Sequence, residues 1–141
     1  YCDPYLDHGK CFLLQDDQGE IQGYILCAES YASFKEYIQE YFEQIKKVAP
    51  SFVYRCDISE YEAYQEEYPA HLHVDILENC CGNGSGALLM HTLLDALKKE
   101  HVPGIMVGVA KNNQRAFNFY QKMGFQILEE AEYGYILGQK L

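Results

Sequence analysis

One stretch near the middle of the chain, "ENCCGNGSGALL" at residues 78–89, constrains the fold most strongly. Glycines occupy alternate positions, Gly82, Gly84 and Gly86, between an apolar run and a helical-looking run. A strand, a glycine-rich turn and a helix in direct succession can bind an anion. The first helical turn has unpaired N–H groups, and glycine lets the backbone approach phosphate oxygens. The pattern leaves two interpretations, a pyrophosphate site and a tight turn between strand and helix.

Two familiar phosphate-binding loops do not match this stretch. A P-loop needs Lys and then Ser or Thr after the last glycine, whereas Ala87 and Leu88 follow here. A dinucleotide-binding fingerprint needs G-x-G-x-x-G, and Gly86 comes one residue too early for it. The next predicted strand also ends in "VGVA", which lacks the acidic residue of that fingerprint.

The first half of the chain predicts a hairpin followed by helices. Two strand-like runs, residues 11–15 and 21–28, flank the turn-rich "DDQG". Apolar residues at helical spacing then predict a long helix in "SFKEYIQEYFEQIKKVAP", with Ser33 and Glu36 as a capping box. A second, shorter helix is predicted to begin at Ser59 in "SEYEAYQEEY".

The second half alternates strands and helices. "HLHVDIL" at 71–77 predicts a strand with His71, His73 and Asp75 on one face and apolar residues on the other. A helix at 86–100, the buried strand "IMVGVA" and the helix "NQRAFNFYQKM" follow. "FQILEE" and "YGYILGQKL" predict a closing strand pair. The order β-β-α-α-β-α-β-α-β-β indicates an α/β or α+β domain around a mixed sheet.

Length and charge narrow the class of protein. The 141 residues suffice for one domain, which we expect to span 1–141. The net charge of −10, spread along the chain, argues against nucleic acid as a partner. The same charge suits a cationic substrate such as an amine, and equally a chain that is simply soluble. No apolar run approaches the ~20 residues that would cross a membrane.

The six cysteines do not require a disulfide framework. The chain is large enough to form a core without bridges, and it shows no secretory apolar segment. No C-x-x-C pair supports a structural zinc site. We therefore expect reduced thiols and a cytoplasmic location. The chain opens at Tyr1 rather than Met, which indicates a processed chain or a fragment.

A second motif gives the glycine-rich turn its context. "NNQRAFNFYQKMGF" follows the next strand, and the two segments together resemble the GCN5-related N-acetyltransferase (GNAT) family. The family's first motif, Q/R-x-x-G-x-G/A, corresponds to residues 81–86. Its second, N-x-x-A-x-x-F-Y-x-x-x-G-F, is complete here as Asn113, Ala116, Phe119, Tyr120, Gly124 and Phe125. The resemblance covers Pro69 to about Glu129. "YPAHLHVDIL" is further similar to the acetyltransferase-like domains attached to some O-GlcNAc hydrolases.

The resemblance implies a fold and a co-substrate. The fold is a mixed, mostly antiparallel central sheet flanked by helices, with a helical insertion between the N-terminal hairpin and the CoA-binding strand. The strand and helices that usually open the family fold are expected to be missing. The co-substrate is acetyl-CoA. The residues implied to bind it are Val74, Ile76, Leu77, Cys81, Gly82, Asn83, Gly84, Ser85, Gly86, Asn113 and Tyr120.

The resemblance also implies transfer of the acetyl group to a primary amine by direct attack. Tyr120 would protonate the leaving thiolate. A base must deprotonate the amine, and His73 is the first candidate, with His71, Asp75 and Glu29 as others. A structural role for these side chains is the alternative. On a flat strand the H-x-H-x-D triplet spans ~13 Å, too far for one metal ion, so no metal is expected.

Two departures from the family pattern support a different function. Cys81 stands where Gln or Arg is usual, and Asn83 where Lys or Arg is frequent, so the loop lacks its basic residues. We expect Cys80 to pack as a small apolar residue and Cys81 to be a neutral replacement, although a thiol near a helix N-terminus can be reactive. The alternative function is a catalytically inactive recognition module. A homodimer is possible in either case.

Overall fold

A computed structural model describes residues 2–141, with all side chains except those of Arg55 and Cys56. Among these residues, six strands form one sheet: β1 (Lys10–Gln15), β2 (Ile21–Ala28), β3 (Ala70–Ile76), β4 (Gly104–Ala110), β5 (Gln126–Glu130) and β6 (Gly134–Lys140). Their order is β1-β2-β3-β4-β6-β5. Only β3 and β4 pair in parallel, and the other neighbours are antiparallel. The expected mixed, mostly antiparallel sheet is confirmed.

In the described part of the chain, four α-helices flank the sheet: α1 (Asp3–His8), α2 (Tyr31–Val48), α3 (Ser85–Lys99) and α4 (Gln114–Lys122). Three 3₁₀ segments lie between them, at Pro50–Cys56, Ser59–Tyr64 and Glu78–Cys80. The predicted order holds except at the second helix, which is a 3₁₀ segment, and α1 is an addition that the sequence did not predict. Among the described residues, no helix is long and apolar enough to cross a membrane.

The predicted capping box of α2 is wrong. The helix begins at Tyr31, and the Oγ atom of Ser30 accepts a hydrogen bond from the N–H of Ser33 at 3.3 Å. Tyr31 is fully buried, and its N–H donates to the carbonyl of Pro69 at 2.7 Å. Because Tyr31 is buried and hydrogen-bonded to Pro69, the helix begins about one turn before the predicted start, and Ser30 rather than Ser33 is the capping residue.

The predicted second α-helix is a 3₁₀ segment, Ser59–Tyr64. Ser59 does not cap it, and the N–H of Ser59 instead donates to Oδ1 of Asp57 at 2.9 Å. Ile58 and Tyr61 are buried, and Tyr64 packs beside them. These residues recur every third position, which matches three residues per turn rather than 3.6.

Two cores lie on opposite faces of the sheet. One lies under α3 and α4 and contains Leu72, with Val74 and Ile76 packed against it. The other lies under α1, α2 and the 3₁₀ segments and contains Tyr5, Tyr31 and Phe34. The alternation predicted for β3 is confirmed, because His71 and His73 contact Tyr5 on the second face.

The sheet opens at its centre. β3 and β4 pair only at Ala70 with Ile105 and at His71 with Met106. Both strands then continue, to Ile76 and to Ala110, without further pairing between them. The backbone edges along this gap are therefore available to a ligand.

Candidate active site

The gap between β3 and β4 forms a cleft of about 260 Å³. Residues 72–75 of β3 and 107–110 of β4 line it, and Asn113, Ala116 and Tyr120 close it on the α4 side. Five of the candidate site residues named from the sequence therefore meet in one place: His73, Val74, Asp75, Asn113 and Tyr120. Backbone from two strands and polar side chains from β3 and α4 converge there.

A second cavity of about 520 Å³ lies on the opposite face of the sheet, under α1, α2 and the Ser59–Tyr64 segment. We call it the acidic cavity, because its lining includes Asp3, Asp57, Glu60 and Glu129. It shares four lining residues with the cleft, namely His73, Gly108, Val109 and Ala110. The gap between the strands thus connects the two faces of the sheet.

The glycine loop, residues 81–86, follows the Glu78–Cys80 segment after β3 and includes the first two residues of α3. Gly82 and Gly84 have φ angles of +86° and +93°, a left-handed conformation that favours glycine. Apart from their own chain neighbours, no described residue has an atom within 4 Å of where a Cβ of Gly82 or Gly84 would stand, so this side of the loop is open. A Cβ on Gly86 would lie 3.3 Å from Ile76 and from Phe119, so Gly86 serves close packing instead.

The N-terminus of α3 is partly satisfied from within the loop. Oδ1 of Asn83 accepts hydrogen bonds from the Ser85 N–H at 3.1 Å and from the Ser85 hydroxyl at 2.6 Å. Gly86 and Ala87 also belong to this first turn, whose N–H groups have no partner one turn earlier. The open backbone and the helix terminus fit a pyrophosphate group. Binding at the Ser85 N–H requires the Asn83 side chain to move away.

The two cysteines attach the loop to the sheet, Cys81 at the end of β3 and Cys80 at β2. The Cys81 thiol donates to the carbonyl of Leu77 at 3.4 Å and to that of Ile76 at 3.7 Å. The Cys80 thiol donates to Oε1 of Gln22 at 3.0 Å. The expectation that Cys80 packs as an apolar residue is wrong, because its partner is a polar side chain. Cys81 therefore attaches the loop to the end of β3, in addition to standing in place of the usual Gln or Arg.

Leu77 differs from the other residues expected along the co-substrate arm. Its N–H donates to the carbonyl of Gln22 at 2.8 Å, and its carbonyl already accepts from Cys81. Its side chain is exposed. Val74 lines the cleft, and Ile76 packs under Gly86. The edge of β3 that faces the gap is therefore best represented by Val74 and Ile76.

α4 brings Asn113 and Tyr120 to the cleft. Oδ1 of Asn113 accepts from the Ala116 N–H at 3.1 Å, so this residue is also the N-cap of α4. The Tyr120 ring is buried, edge-on to Phe119 and Phe125 at centroid distances of 5.4 and 5.3 Å. Packing therefore fixes the orientation of the Tyr120 ring beside the cleft.

The two histidines of β3 occupy different environments. His71 is fully buried among Tyr5, Phe34 and Tyr61 and lines neither cavity. Within residues 2–141, neither of its ring nitrogens has a hydrogen-bond partner, and burial lowers its pKa to about 3.

His73 lines both the cleft and the acidic cavity. Its Nε2 atom lies 3.0 Å from the Tyr5 hydroxyl, and burial lowers its pKa to about 4. A group with so low a pKa is a weak proton acceptor near neutral pH.

The carboxylates expected from the sequence are both engaged. Asp75 accepts a hydrogen bond from the Tyr24 hydroxyl at 2.6 Å, which raises the pKa of Tyr24. Glu29 forms an ion pair with Lys10 at 2.7 Å and lines neither cavity. The structure therefore brings Asp75 to the cleft and leaves Glu29 outside it.

Sequence reasoning missed Glu60. A Cβ on Gly108 would lie 2.9 Å from Oε1 of Glu60, and the Gly108 N–H donates to the Tyr61 hydroxyl at 2.8 Å. Glu60 is exposed as a whole residue, but partial burial of its carboxylate raises its pKa, as do the negative charges of Asp57 and Glu129. The available signal was the glycine inside the strand "IMVGVA", since such a glycine often marks a close approach.

Known proteins share this architecture. The crystal structure of SsHAT superposes with a TM-score of 0.87 at 26% identity, covering 99% of this chain and 77% of that one. A GNAT-family acetyltransferase from Listeria monocytogenes gives 0.66 at 11% identity, covering 97% and 67%. The PaiA N-acetyltransferase from Thermoplasma acidophilum, solved in complex with coenzyme A, gives 0.60 at 14%, covering 94% and 62%.

The family model of the acetyltransferase (GNAT) family matches residues 2–125, which include both motifs and the cleft. The last two structures show only a shared fold at their level of identity. The family match supports acetyl-CoA as co-substrate, as the resemblance implied. By its sequence and by its fold, this chain belongs to the acetyltransferase (GNAT) family.

Proposed function

We propose that the protein transfers the acetyl group of acetyl-CoA to a primary amine by direct attack. The observation that carries this proposal is the unpaired stretch between β3 and β4. On one face this gap opens beside Tyr120, and on the other it opens into the acidic cavity. Because the gap is open on both faces of the sheet, acetyl-CoA and the amine can approach the same point from opposite sides.

The chain offers distinct groups to each part of the co-substrate. The backbone of β3 at Val74 and Ile76 borders the arm, whereas the backbone of Leu77 is engaged by Gln22 and Cys81. The glycine loop and the first turn of α3 hold the pyrophosphate. Asn113 lies at the far side of the cleft from β3 and contacts the arm. Acetyl-CoA itself supplies an acetyl group activated as a thioester.

Tyr120 holds the proton that the leaving sulfur needs. Its ring lines the cleft and is fixed by Phe119 and Phe125. A buried phenol beside the reacting atoms can act as a general acid. His73 and Asp75, the bases expected from the sequence, also line the cleft. The low pKa of His73 and the hydrogen bond from Tyr24 to Asp75 weaken both as proton acceptors.

An inactive recognition module is the second candidate function, and one feature of the loop favours it. The Ser85 N–H already donates a hydrogen bond to the Asn83 side chain. Neither Asn83 nor Cys81 supplies a positive charge for a phosphate. A fold that kept its cleft but lost cofactor binding would show this pattern. The single-domain organisation over 1–141, the homodimer and the cytoplasmic location stay predictions in either case.

Turnover of a panel of primary amines, followed by mass spectrometry of the acetylated product, tests the proposal. The Tyr120→Phe variant should lose turnover by about 10²–10⁴-fold while keeping its affinity for acetyl-CoA. Tyr37→Phe is the matched control, because Tyr37 lies on α2 and stacks on His8 outside both cavities. Full turnover in Tyr120→Phe would refute the acid role, and a folded wild type that acetylates no amine would favour the recognition module.

A further inference from the structure

The acidic cavity is placed to receive the acceptor of the proposed reaction. It lies on the face of the sheet opposite α3 and α4, and it meets the cleft at His73, Gly108, Val109 and Ala110. Its volume of about 520 Å³ suits a small molecule or an extended side chain. A ligand in this cavity can reach the gap between the strands without crossing the path of the co-substrate.

Glu60 stands where the cavity meets the gap. Its carboxylate lies so close to Gly108 that a Cβ there would come within 2.9 Å of Oε1. The hydroxyl of the neighbouring Tyr61 accepts a hydrogen bond from the Gly108 N–H, and this bond holds the Ser59–Tyr64 segment against β4. Gly108 is two residues beyond Met106, the last residue of β4 that pairs with β3. The hydrogen bond of buried Tyr61 keeps the segment against β4, and the lack of a side chain on Gly108 leaves room for the Glu60 carboxylate at the opening.

The charges around Glu60 favour a cation. Asp3, Asp57 and Glu129 line the same cavity, and the Tyr64 hydroxyl donates to Glu129 at 2.7 Å. His73 is neutral at physiological pH because of its low pKa. Among the described residues that line the cavity, none is a lysine or an arginine. A concave site with one sign of charge concentrates ligands of the opposite sign.

Glu60 is also the carboxylate best suited to take a proton. Its pKa is raised, first by burial and then by the charges of Asp57 and Glu129. A base works best when its pKa approaches the working pH. His73 is shifted in the wrong direction for this task, and Asp75 is tied to Tyr24.

We propose that Glu60 accepts the proton of the acceptor amine and that the acidic cavity selects amines that carry a second positive charge. The inference rests on the proposed acetyl transfer. The N–H bond of the ammonium breaks, and its proton passes to the Glu60 carboxylate. The nitrogen lone pair forms the bond to the acetyl carbon, and the C–S bond breaks with its electron pair on sulfur. Sulfur takes the proton of Tyr120. The nitrogen then loses its second proton, which passes through water to the Tyr120 oxygen, and Glu60 releases its own proton to water.

Three probes of equal chain length test the selectivity. Pentane-1,5-diamine, pentan-1-amine and 5-aminopentanoate carry net charges of about +2, +1 and 0 at neutral pH, since amines titrate near 10 and carboxylates near 4. Calorimetry without acetyl-CoA should rank their affinities in that order, with about a tenfold preference for the diamine over the zwitterion. Equal binding of the three probes would overturn the cationic selectivity.

The Glu60→Gln variant tests the proton acceptor, with Glu66→Gln as the matched control. Glu66 lies two positions after the 3₁₀ segment and is exposed, as Glu60 is, but it lines neither cavity. Glu60→Gln should lower kcat about 10²-fold or more at neutral pH and leave acetyl-CoA affinity unchanged. Its activity should rise with pH as the free amine forms in solution. A difference titration by carbon NMR should give Glu60 a higher pKa than Glu66.

The outcomes separate the inference from the function on which it rests. Wild-type kcat in Glu60→Gln, or a Glu60 pKa no higher than that of Glu66, would overturn the proton-acceptor role. Charge-ordered binding without any acetylated product would contradict the proposed acetyl transfer and the proton transfer together. That result would still support a cavity selective for diamines.

Discussion

The hydroxyl of Tyr5 and the Nε2 atom of His73 lie 3.0 Å apart, and this contact joins α1 to the strand that borders the cleft. The Tyr5 ring is buried, at a centroid distance of 4.5 Å from Phe34 and edge-on to both histidines of β3. α1 is therefore a wall of the site, since Asp3, Pro4 and Tyr5 all line the acidic cavity.

Removing this hydroxyl should weaken the fold modestly. Tyr5→Phe keeps the ring packing but takes away a hydrogen-bond partner of His73, so we expect a loss of about 1 kcal/mol in the free energy of unfolding. Urea denaturation measures it, with Tyr37→Phe on the exposed side of α2 as control. An unchanged midpoint in Tyr5→Phe would show that the contact contributes nothing to stability.

The buried histidines should make the protein sensitive to acid. Their pKa values are about 3 for His71 and about 4 for His73 in the folded state, below the ordinary 6.5. Below pH 6.5 the unfolded chain binds more protons, so stability is present above that pH and is lost as pH falls toward 4 and 3. Between pH 7.5 and 5.5 each histidine should account for about 1.4 kcal/mol of loss.

His71→Phe isolates the part of this loss that belongs to His71. The variant places an apolar ring among Tyr5, Phe34 and Tyr61 and should remove about half of the pH dependence in urea unfolding. His91→Gln, at an exposed position of α3, should leave that dependence unchanged. If His71→Phe unfolds with the wild-type pH dependence, His71 is not held neutral by the fold.

Gly108→Ala should disturb the site through Glu60. The added Cβ would lie 2.9 Å from Oε1 of Glu60 and 3.0 Å from the Tyr61 hydroxyl, so the carboxylate must move. A displacement of about 1 Å can cost about 10²-fold in turnover. Acetyl-CoA affinity, measured separately, should stay the same.

A double-mutant cycle with Glu60→Gln gives the control for this prediction. If Gly108→Ala acts by moving Glu60, it should cost little more once Glu60 has been replaced. Fully additive losses would mean that the two positions act independently.

Asn83→Lys should improve co-substrate binding. The change frees the Ser85 N–H and adds a positive charge beside the predicted pyrophosphate position. We expect acetyl-CoA to bind about tenfold more tightly, which corresponds to about 1.4 kcal/mol, with a steeper dependence on salt. Gln18→Lys, in the turn between β1 and β2, controls for net charge. Equal acetyl-CoA affinities of Asn83→Lys and Gln18→Lys would mean that the pyrophosphate does not bind beside residue 83.

The glycine loop shows what sequence can predict and where it stops. Alternating glycines between a strand and a helix predict the turn, because Gly82 and Gly84 need a left-handed backbone. The hydrogen bonds of Asn83 to Ser85 depend on side-chain orientation, which no spacing rule gives. The start of α2 shows the same limit of sequence-based prediction. Its apolar spacing predicts the helix, but the choice between Ser30 and Ser33 as cap depends on burial of Tyr31 under distant residues.

The acidic cavity lay beyond sequence reasoning for a physical reason. Its walls come from α1, α2, the Ser59–Tyr64 segment, β4 and the β5–β6 pair, which are far apart along the chain. Alternation in β3 predicts that His71 and His73 share a face. Their lowered pKa values follow only once α1 packs over them, and the six residues of α1 form too short a pattern to predict.

Acetyl-CoA binding by isothermal titration calorimetry tests the central claim most directly, with Gly84→Glu beside Gly19→Glu. Both glycines have a positive φ and open space around them, but Gly19 lies in the turn between β1 and β2. The account predicts binding near micromolar Kd for the wild type and Gly19→Glu, and none for Gly84→Glu, whose carboxylate would repel the pyrophosphate. A folded wild type that binds no acetyl-CoA, or a Gly84→Glu variant that binds it equally well, would contradict the account.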